Sequence, residues 1–249
     1  MIDLRLIGIG TGNPDHLTRE ADKAMRAADV ILLPRKRSDT ADLIDLRRML
    51  CADLDGPRIA EFDLPVRAAD APYPDAVDGW HDAIAGAWRT EITRHLPAGG
   101  TLALLIWGDP SLYDSSLRIA ARLKRDGMPM RVGVVPGITS LQALTAAHAI
   151  PLNRIASPVA ITTGRRLRDH GWPSAFDTIA VMLDKGCAFD AINPAGVEIW
   201  WGAYLGMAQQ ALAAGPLQET GEEIRARRAA LRAEHGWIMD VYLLRRTMA

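Results

Sequence analysis

Short apolar runs and helically spaced apolar residues alternate along the first 150 positions of the chain. The runs predict strands at Ile2–Ile9, Val30–Leu33, Thr101–Trp107 and Arg131–Val135. The most regular helical spacing extends from Asp75 to Leu96, and shorter helices are predicted near 17–28, 115–125 and 141–148. Strands that alternate with helices favour a parallel sheet covered by helices.

The pattern changes after Asn153. Strand-like runs recur at Val159–Thr163, Thr178–Leu183, Val197–Trp201 and Ile238–Leu244, but helical spacing is sparse until Glu219–Glu234. We therefore predict a two-domain α/β fold, with a mainly parallel sheet in residues 1–153 and a mixed, partly antiparallel sheet in residues 154–249.

Composition and charge exclude several classes of protein. The 249 residues are 49% hydrophobic and carry a formal net charge of −1, which gives no indication of a nucleic-acid partner. The two cysteines, Cys51 and Cys187, form no CxxC pair, so neither a metal site nor a disulfide framework is expected. No window reaches 18 apolar residues and no signal peptide is visible, which predicts no membrane association and a cytoplasmic location.

Two polar turns directly follow predicted strands. Gly8, Gly10 and Gly12 end the first strand, and Gly108-Asp109-Pro110 follows Thr101–Trp107. Glycines allow positive φ and a close approach of ligand to backbone. Because the carboxyl ends of parallel strands share one edge, the two turns predict a ligand site there.

Several nucleotide ligands fit this turn poorly. A GxGxxG motif would need glycine at Asn13, and NAD would need an acidic residue where the second strand leads into Arg35-Lys36-Arg37. NADP stays open because arginine can meet its 2′-phosphate. A GxxxxGK[ST] loop is absent, which argues against nucleoside triphosphates. Asp109 could simply cap a turn, or it could pair with a cationic ligand or with ribose hydroxyls, both of which S-adenosylmethionine offers.

Three stretches in register resemble the tetrapyrrole methylases. They are Ile7–Thr18, Gly108–Tyr113 and Val134–Ser140, the last continuing to Ile150–Leu152. Three further stretches, Arg35–Asp39, Gly164–Leu167 and Ile199–Gly206, resemble the cobalamin branch of that family. The resemblance covers essentially the whole chain. It implies S-adenosylmethionine as cofactor, S-adenosylhomocysteine as product, a cofactor cleft between two domains and a homodimer. It also implies methylation of a tetrapyrrole, namely C1 of precorrin-5, with loss of acetate.

The resemblance also implies site residues. Cofactor contacts are expected from Thr11, Trp107, Gly108, Asp109, Leu112, Thr139, Ser140, Met182 and Tyr204. Carboxylate-rich substrates suit arginine and lysine, which are expected at Arg35, Lys36, Arg37, Arg165 and Arg166. Uroporphyrinogen-methylating relatives carry an aspartate where this chain has Pro34, which leaves the acid–base residue unassigned; His16, Asp39 and Tyr113 are candidates by position only.

Other interpretations of the sequence stay open. Another corrin-ring methyltransferase would share these motifs, an NADP-dependent reductase would use Arg35 and Arg37, and a sensor would bind the ligand without turnover. Arg47 and Arg48 are expected on an exposed helix face, and Trp80 and Trp88 in the core. Trp200 and Trp201 are expected on opposite faces of one strand.

Overall fold

The computed structural model describes residues 1–35, 41–67 and 73–247, with side chains over the same ranges except 41–43 and 73–76. Contacts divide the chain into two units. Unit 1 comprises Met1–Gly10 and Pro14–Ile138, and unit 2 comprises Thr11–Asn13 and Thr139–Ala249. No helix in the described ranges is long and apolar enough to cross a membrane.

Unit 1 is built on a parallel five-stranded sheet of order β3-β2-β4-β1-β5. Its strands are β1 (Ile2–Gly8), β2 (Val30–Arg35), β3 (Arg58–Asp63), β4 (Gly100–Ile106) and β5 (Met130–Val135). Its helices are α1 (Arg19–Arg26), α2 (Ala41–Cys51), α3 (Tyr73–His95) and α4 (Ser116–Arg125), with a 3₁₀ turn at Pro14–His16.

Alternate residues of β1 face two separate cores. Leu4 and Leu6 pack with the α3 and α4 side, which includes Trp88, whereas Ile7 packs with Met25 on the α1 and α2 side. Asp3 and Arg5 interrupt the first half of β1, so only its end, from Leu6 on, is buried on both faces. The predicted parallel sheet is confirmed by the strand pairing. Trp88 lies in the core on the α3 side, and the half-buried Trp80 packs against that core.

Unit 2 is built on a mixed sheet of order β6-β7-β10-β8-β9, in which only the β6–β7 pair is parallel. Its strands are β6 (Val159–Thr163), β7 (Thr178–Met182), β8 (Val197–Ala203), β9 (Ala211–Pro216) and β10 (Asp240–Arg246). Its helices are α5 (Ser140–Ala147), α6 (Gly164–His170) and α7 (Leu217–His235), with a 3₁₀ turn at Ala188–Ala191. The mixed sheet was also predicted correctly.

The division between the units falls one helix earlier than the predicted boundary after Asn153. Helix α5 contacts β8 and β10, and the imidazole Nε2 of His148 lies 3.0 Å from the carbonyl oxygen of Trp201. The guanidinium of Arg245 donates to the carbonyl of Pro151 at 2.8 Å. Helical periodicity shows that α5 has an apolar face but not which sheet buries that face, so it does not determine to which unit α5 belongs.

Some elements differ from the sequence prediction. Strand β2 continues through Pro34, beyond its predicted end at Leu33, and Pro34 is paired in register with Phe62 on β3. The missing amide of proline is tolerated because β2 pairs with β4 only from Val30 to Leu32. Strands β3 and β9 and helix α6 were not predicted, since each is short and has no regular apolar period.

Candidate functional site

The two glycine-containing turns of unit 1 meet at the carboxyl edge of its sheet. Strands β1 and β4 are neighbours, and beyond them Gly10 and Gly108 exchange backbone hydrogen bonds. The amide of Gly108 donates to Gly10 at 2.7 Å, and that of Gly10 donates back at 3.3 Å. The prediction that both turns lie at one edge is confirmed.

A third turn, after β5, joins them. A Cβ on Gly8 would lie 2.6 Å from the nitrogen of Gly137, and a Cβ on Gly137 would lie 2.2 Å from the carbonyl oxygen of Gly108. Real Cβ atoms essentially never approach other atoms so closely. The three loops therefore touch through bare backbone, and any side chain at Gly8 or Gly137 would force them apart.

Asp109 ties two of these loops together. Its Oδ2 accepts from the amide of Gly137 at 2.8 Å, and its Oδ1 accepts from both the amide and the hydroxyl of Ser111. Burial alone would raise the pKa of this carboxyl, but the hydrogen bonds from Ser111 and Gly137 hold the pKa below its usual value. Both oxygens are thus engaged within the protein, and Asp109 positions the loops as an ionised side chain.

Gly108 and Thr11 differ in what surrounds them. A Cβ on Gly108, whose φ is 67°, would meet nothing within 4 Å. The side chain of Thr11 is buried, and its Oγ1 has no hydrogen-bond partner among the described residues. Trp107 and Leu112, which flank the Gly108-Asp109 loop, are half-buried. A bare backbone and an unsatisfied buried hydroxyl fit a polar ligand such as S-adenosylmethionine.

The helix after β5 begins in the turn predicted to contact the cofactor. Thr139 is the N-cap of α5, where its Oγ1 accepts from the amide of Gln142 and its own amide donates to the Gln142 side chain at 2.8 Å. Such a reciprocal capping box fixes the start of the helix. The hydroxyl of Thr139 is therefore engaged in capping, while Ser140, the first helical residue, is half-buried.

The basic residues after β2 have different environments. Arg35 pairs with Asp63 at 2.8 Å and with Glu61 at 3.6 Å, so its charge is already shared with two carboxylates. Lys36 and Arg37 lie outside the described residues, as does Asp39.

Arg47 lies in a different environment from the one predicted. It was expected on an exposed face like Arg48, but it is half-buried, and its Nε donates to the carbonyl of Leu105 on β4 at 3.0 Å. Burial lowers the pKa of its guanidinium to about 10, so it stays cationic at neutral pH. The basic doublet Arg47-Arg48 was the only sequence signal, and it does not show which of the two turns inward.

Unit 2 positions its own predicted site residues around the end of β7. Met182, the last residue of β7, is half-buried and pairs in register with Thr163 of β6. Thr163 caps α6, whose first turn carries the exposed Arg165 and Arg166. The chain then turns at Leu183, a non-glycine residue with φ of 52° whose side chain is exposed. The two arginines and Met182 therefore follow adjacent parallel strands at one sheet edge.

A buried carboxylate holds this edge. Asp184 accepts hydrogen bonds from the amides of Gly186 and Ala188, from the guanidinium of Arg168 at 2.6 Å, and from the hydroxyl of Tyr242 at 2.8 Å. Burial alone would raise its pKa, but these four donors keep the pKa below the usual value. A Cβ on Gly164 would lie 2.2 Å from the carboxylate, so α6 can begin here only with glycine.

A second buried carboxylate lies close by. Arg228 donates to Asp240 through Nε and to the backbone oxygen of Asp184 through Nη2, both at 2.9 Å, and the indole of Trp201 also donates to Asp240. Burial raises the pKa of Asp240 despite these donors. The two carboxylates and Arg228 thus form one buried network beneath the end of β7.

The remaining aromatic residues of the site take different positions. Tyr204 is fully buried with φ of 49°, and its hydroxyl donates to the carbonyl of Trp237. Its ring is therefore part of the core of unit 2, which leaves its backbone as the part a cofactor could contact. Trp201 is buried, whereas Trp200 is half-buried with the guanidinium of Arg245 5.1 Å from its ring centre, as expected for opposite faces.

Comparison with known proteins identifies the family. The model of the Tetrapyrrole (Corrin/Porphyrin) Methylases matches residues 3–221, and the chain belongs to this family. It is 45% identical to the precorrin-6A synthase [deacetylating] of Sinorhizobium sp. over 99% of this chain and 96% of that protein. It is 33% identical to a precorrin-2 C(20)-methyltransferase from Sinorhizobium sp., over 73% of each chain.

Solved structures agree with this assignment. The crystal structure of a cobalamin synthesis related protein (CobF) from Corynebacterium diphtheriae superposes with a TM-score of 0.86, at 36% identity and over 100% of both chains. A uroporphyrin-III C-methyl transferase from Thermus thermophilus, complexed with S-adenyl homocysteine, gives a TM-score of 0.58 at 20% identity, over 97% of this chain and 91% of that one. The second likeness shows the shared fold alone.

Proposed function

We propose that this chain is an S-adenosylmethionine-dependent C-methyltransferase that methylates C1 of precorrin-5 and releases acetate, giving precorrin-6A. The observation that carries the proposal is the 45% identity to precorrin-6A synthase [deacetylating] along almost the whole of both chains. The alignment extends over both units, whereas fold similarity alone would leave the substrate open.

The residues proposed to hold the cofactor come from turns after β1, β4, β5, β7 and β8. They are Thr11, Trp107, Gly108, Asp109, Leu112, Thr139, Ser140, Met182 and Tyr204. Gly108 would offer bare backbone and Thr11 a hydroxyl, while Asp109 and Thr139 would act by fixing their loops, since their polar atoms are already engaged.

The cofactor supplies an activated methyl group on a sulfonium. The chain's task is then to hold a tetrapyrrole carbon in line with that methyl and to exclude water, and orientation of this kind can lower a barrier by about 7–11 kcal/mol in favourable cases. The acidic side chains of the substrate would be bound by Arg35, Lys36, Arg37, Arg165 and Arg166. Arg165 and Arg166 are exposed at a strand end, whereas Arg35 already pairs with Asp63 and Glu61.

The group that handles protons during acetate release is not assigned. Of the three candidates by position, Asp39 lies outside the described residues and Tyr113 is exposed. His16 adjoins the glycine turn: a Cβ on Gly10 would lie 2.9 Å from its Cβ.

The second candidate function is another corrin-ring methyltransferase, which is favoured by the 33% identity to a precorrin-2 C(20)-methyltransferase. The experiment incubates purified protein with S-adenosylmethionine and either precorrin-5 or precorrin-2, followed by mass spectrometry of the tetrapyrrole and NMR detection of acetate. We expect methyl gain and acetate only with precorrin-5. Methylation of precorrin-2, or methylation of precorrin-5 without acetate, would contradict the proposal. Omitting S-adenosylmethionine is the control.

We further propose that the protein is a cytoplasmic homodimer. The location is supported by Cys51 and Cys187, which are both free thiols, as is usual in a reducing compartment. The dimer rests on the family resemblance and is tested by sedimentation equilibrium, in which a single species of one-chain mass, 27.1 kDa, would contradict it.

A further inference from the structure

Leu183 combines two unfavourable features in the free protein. It directly follows β7 with a φ of 52°, in the left-handed region that bulky residues avoid. Its side chain is also 61% exposed, so little burial of apolar surface compensates for the strained backbone. Glycine would occupy this position without either penalty. A large apolar side chain that destabilises the free chain therefore calls for a role outside folding.

Tyr204, directly after β8, shows how such strain is offset elsewhere in the same unit. Its φ is 49°, but its ring is almost fully buried and makes edge-to-face contacts with His235 and Trp237. Packing in the core of unit 2 thus stabilises the turn after β8. Leu183 has no comparable burial, although both residues come directly after a strand of the same sheet.

The turn that carries Leu183 is held in place from beneath. The next residue, Asp184, is buried and accepts hydrogen bonds from the amides of Gly186 and Ala188. Arg168 of α6 pairs with Asp184 and also donates to the carbonyl oxygen of Gly186 at 3.2 Å. A left-handed residue persists where its surroundings over-determine the backbone. This network therefore keeps the Leu183 side chain exposed at the sheet edge and prevents the turn from relaxing.

The surroundings of Leu183 are basic. Lys185, two residues further on, is exposed and forms no ion pair within the part of the chain that the structure describes. Arg165 and Arg166 are exposed in the first turn of α6, the start of which lies against Asp184. An apolar side chain flanked by cations fits a ligand with an apolar body and several carboxylates. A second copy of this chain fits less well, since it would have to supply carboxylates to avoid burying unpaired cations.

We propose that Leu183 and Lys185 bind the tetrapyrrole substrate. The Leu183 side chain packs against the apolar macrocycle, and the Lys185 ammonium pairs with a substrate carboxylate. The proposal rests on the proposed function and adds two residues to those expected to bind substrate. Contact with the macrocycle removes from water a side chain that is exposed in the free protein, which a glycine at this position could not do. Both residues determine the affinity for substrate, and neither takes part in the bond-forming step.

Replacing Leu183 tests the contact with the macrocycle. Leu183→Gly should raise the KM for precorrin-5 about tenfold, the factor expected when burial of most of a leucine side chain is lost. Its kcat should change less than about twofold, because the contact exists both before and during methyl transfer. The dissociation constant of S-adenosylhomocysteine, measured by titration calorimetry, should be unchanged. Leu183→Met retains an apolar side chain of similar size and should keep the KM within about threefold of the unaltered protein.

Ala156→Gly is the matched backbone control. Ala156 is exposed with a φ of 56° in the loop before β6, so glycine replaces a residue of the same conformation at the opposite edge of the sheet. It should leave both the KM and the cofactor affinity unchanged. Leu183→Gly should melt at least as high as Ala156→Gly, because both variants relieve a left-handed backbone and neither removes a buried side chain.

Replacing Lys185 tests the pair with a substrate carboxylate. Lys185→Gln should raise the KM for precorrin-5 about threefold to fivefold in about 0.05 M salt, and less in about 0.5 M salt, where exposed charges are screened. Lys124→Gln is the control, because Lys124 is exposed in the last turn of α4, which leads into the amino end of β5. Its KM should equal that of the unaltered protein at both salt concentrations.

The outcomes separate failure of the proposal from failure of the proposed function. If the unaltered protein does not methylate precorrin-5, the proposed function fails. If it does, an unchanged KM for Leu183→Gly overturns the macrocycle contact, and an unchanged KM for Lys185→Gln overturns the carboxylate pair. Weaker binding of S-adenosylhomocysteine to Leu183→Gly would place Leu183 against the cofactor. A smaller sedimenting species than the unaltered protein would place it between two copies of the chain. Either result overturns the proposal.

Discussion

The two units fix the loops at their sheet edges by different means. In unit 1, Gly8, Gly108 and Gly137 bring three loops into direct backbone contact, and a single carboxylate, Asp109, ties two of them. In unit 2, side chains from α6, α7 and β10 converge on the buried carboxylates of Asp184 and Asp240. The first arrangement depends on the absence of side chains, and the second on charged groups being fully paired.

These two constructions should fail differently. Backbone in contact with backbone has no rotamer to change, so an added methyl must separate strands of the sheet. A buried carboxylate with four donors is stable only while the donors remain, and loss of the charge leaves several donors unpaired. The stability of unit 1 should thus depend on the size of the side chains at its glycine positions, and that of unit 2 on the charge of its buried carboxylates.

The largest effect is expected for Gly137→Ala in unit 1. The new methyl would lie 2.2 Å from the Gly108 oxygen and 2.7 Å from the Gly8 carbonyl carbon, so we expect a loss of about 4 kcal/mol in the free energy of unfolding, or no folded protein. Urea unfolding followed by circular dichroism measures this. Gly86→Ala, in α3 with no atom within 4 Å of the new methyl, is the control and should stabilise by about 0.5–1 kcal/mol. Equal stability of Gly137→Ala and the unaltered protein would contradict the claim that the loops of unit 1 have no room for a side chain.

An intermediate effect is expected for Asp184→Asn in unit 2. The amide preserves size but removes the charge and turns an NH₂ group toward backbone donors, which should cost about 3 kcal/mol in the free energy of unfolding. Asp190→Asn removes an exposed partner of Arg225 and should cost at most about 1 kcal/mol. Urea titrations measure both variants. An equal decrease in the free energy of unfolding for Asp184→Asn and Asp190→Asn would show that burial of Asp184 does not increase its contribution to stability.

Asp184→Asn should also change how the free energy of unfolding depends on pH under acidic conditions. The pKa of Asp184 is lower in the folded chain than its usual value of 3.8, so its contribution is fully present above about pH 4 and is lost as the pH falls through the folded pKa. The unaltered protein should therefore lose stability more steeply below pH 4 than Asp184→Asn. Urea midpoints between pH 3 and pH 7 measure this, and parallel curves would contradict the assignment.

The smallest effect is expected for Arg35→Gln, at the end of β2. Arg35 is half exposed and pairs with Asp63 and Glu61 on the neighbouring strand, and water screens such surface pairs so that they contribute little to stability. The small decrease in the free energy of unfolding, measured by urea titration, should shrink further in 1 M salt. A decrease as large as that of Asp184→Asn would show that unit 1 also depends on charge, and would weaken the contrast with unit 2.

The sequence was most informative where the structure depends on neighbouring residues. The wholly apolar run Val30–Leu33 predicted a buried parallel strand, and the glycines at 8, 10 and 108 predicted turns at one edge, because both signals are local. The capping box at the start of α5 is equally local, since it joins Thr139 to Gln142, three residues further on. The environment of Arg47 was not predicted, since only the packing of α2 decides which residue of the doublet turns toward Leu105.

The sequence by itself determined the alternation of strands and helices, the positions where only glycine fits a turn, and the motifs that identify the family. The tertiary structure alone decided that α5 packs on the second sheet, that Asp109 ties two loops, and that Asp184 meets Arg168 and Tyr242. The physical reason is the distance along the sequence over which each feature is determined. Turns and periodicity are set within a few residues, whereas each of these contacts joins residues brought together only by the order of strands in a sheet.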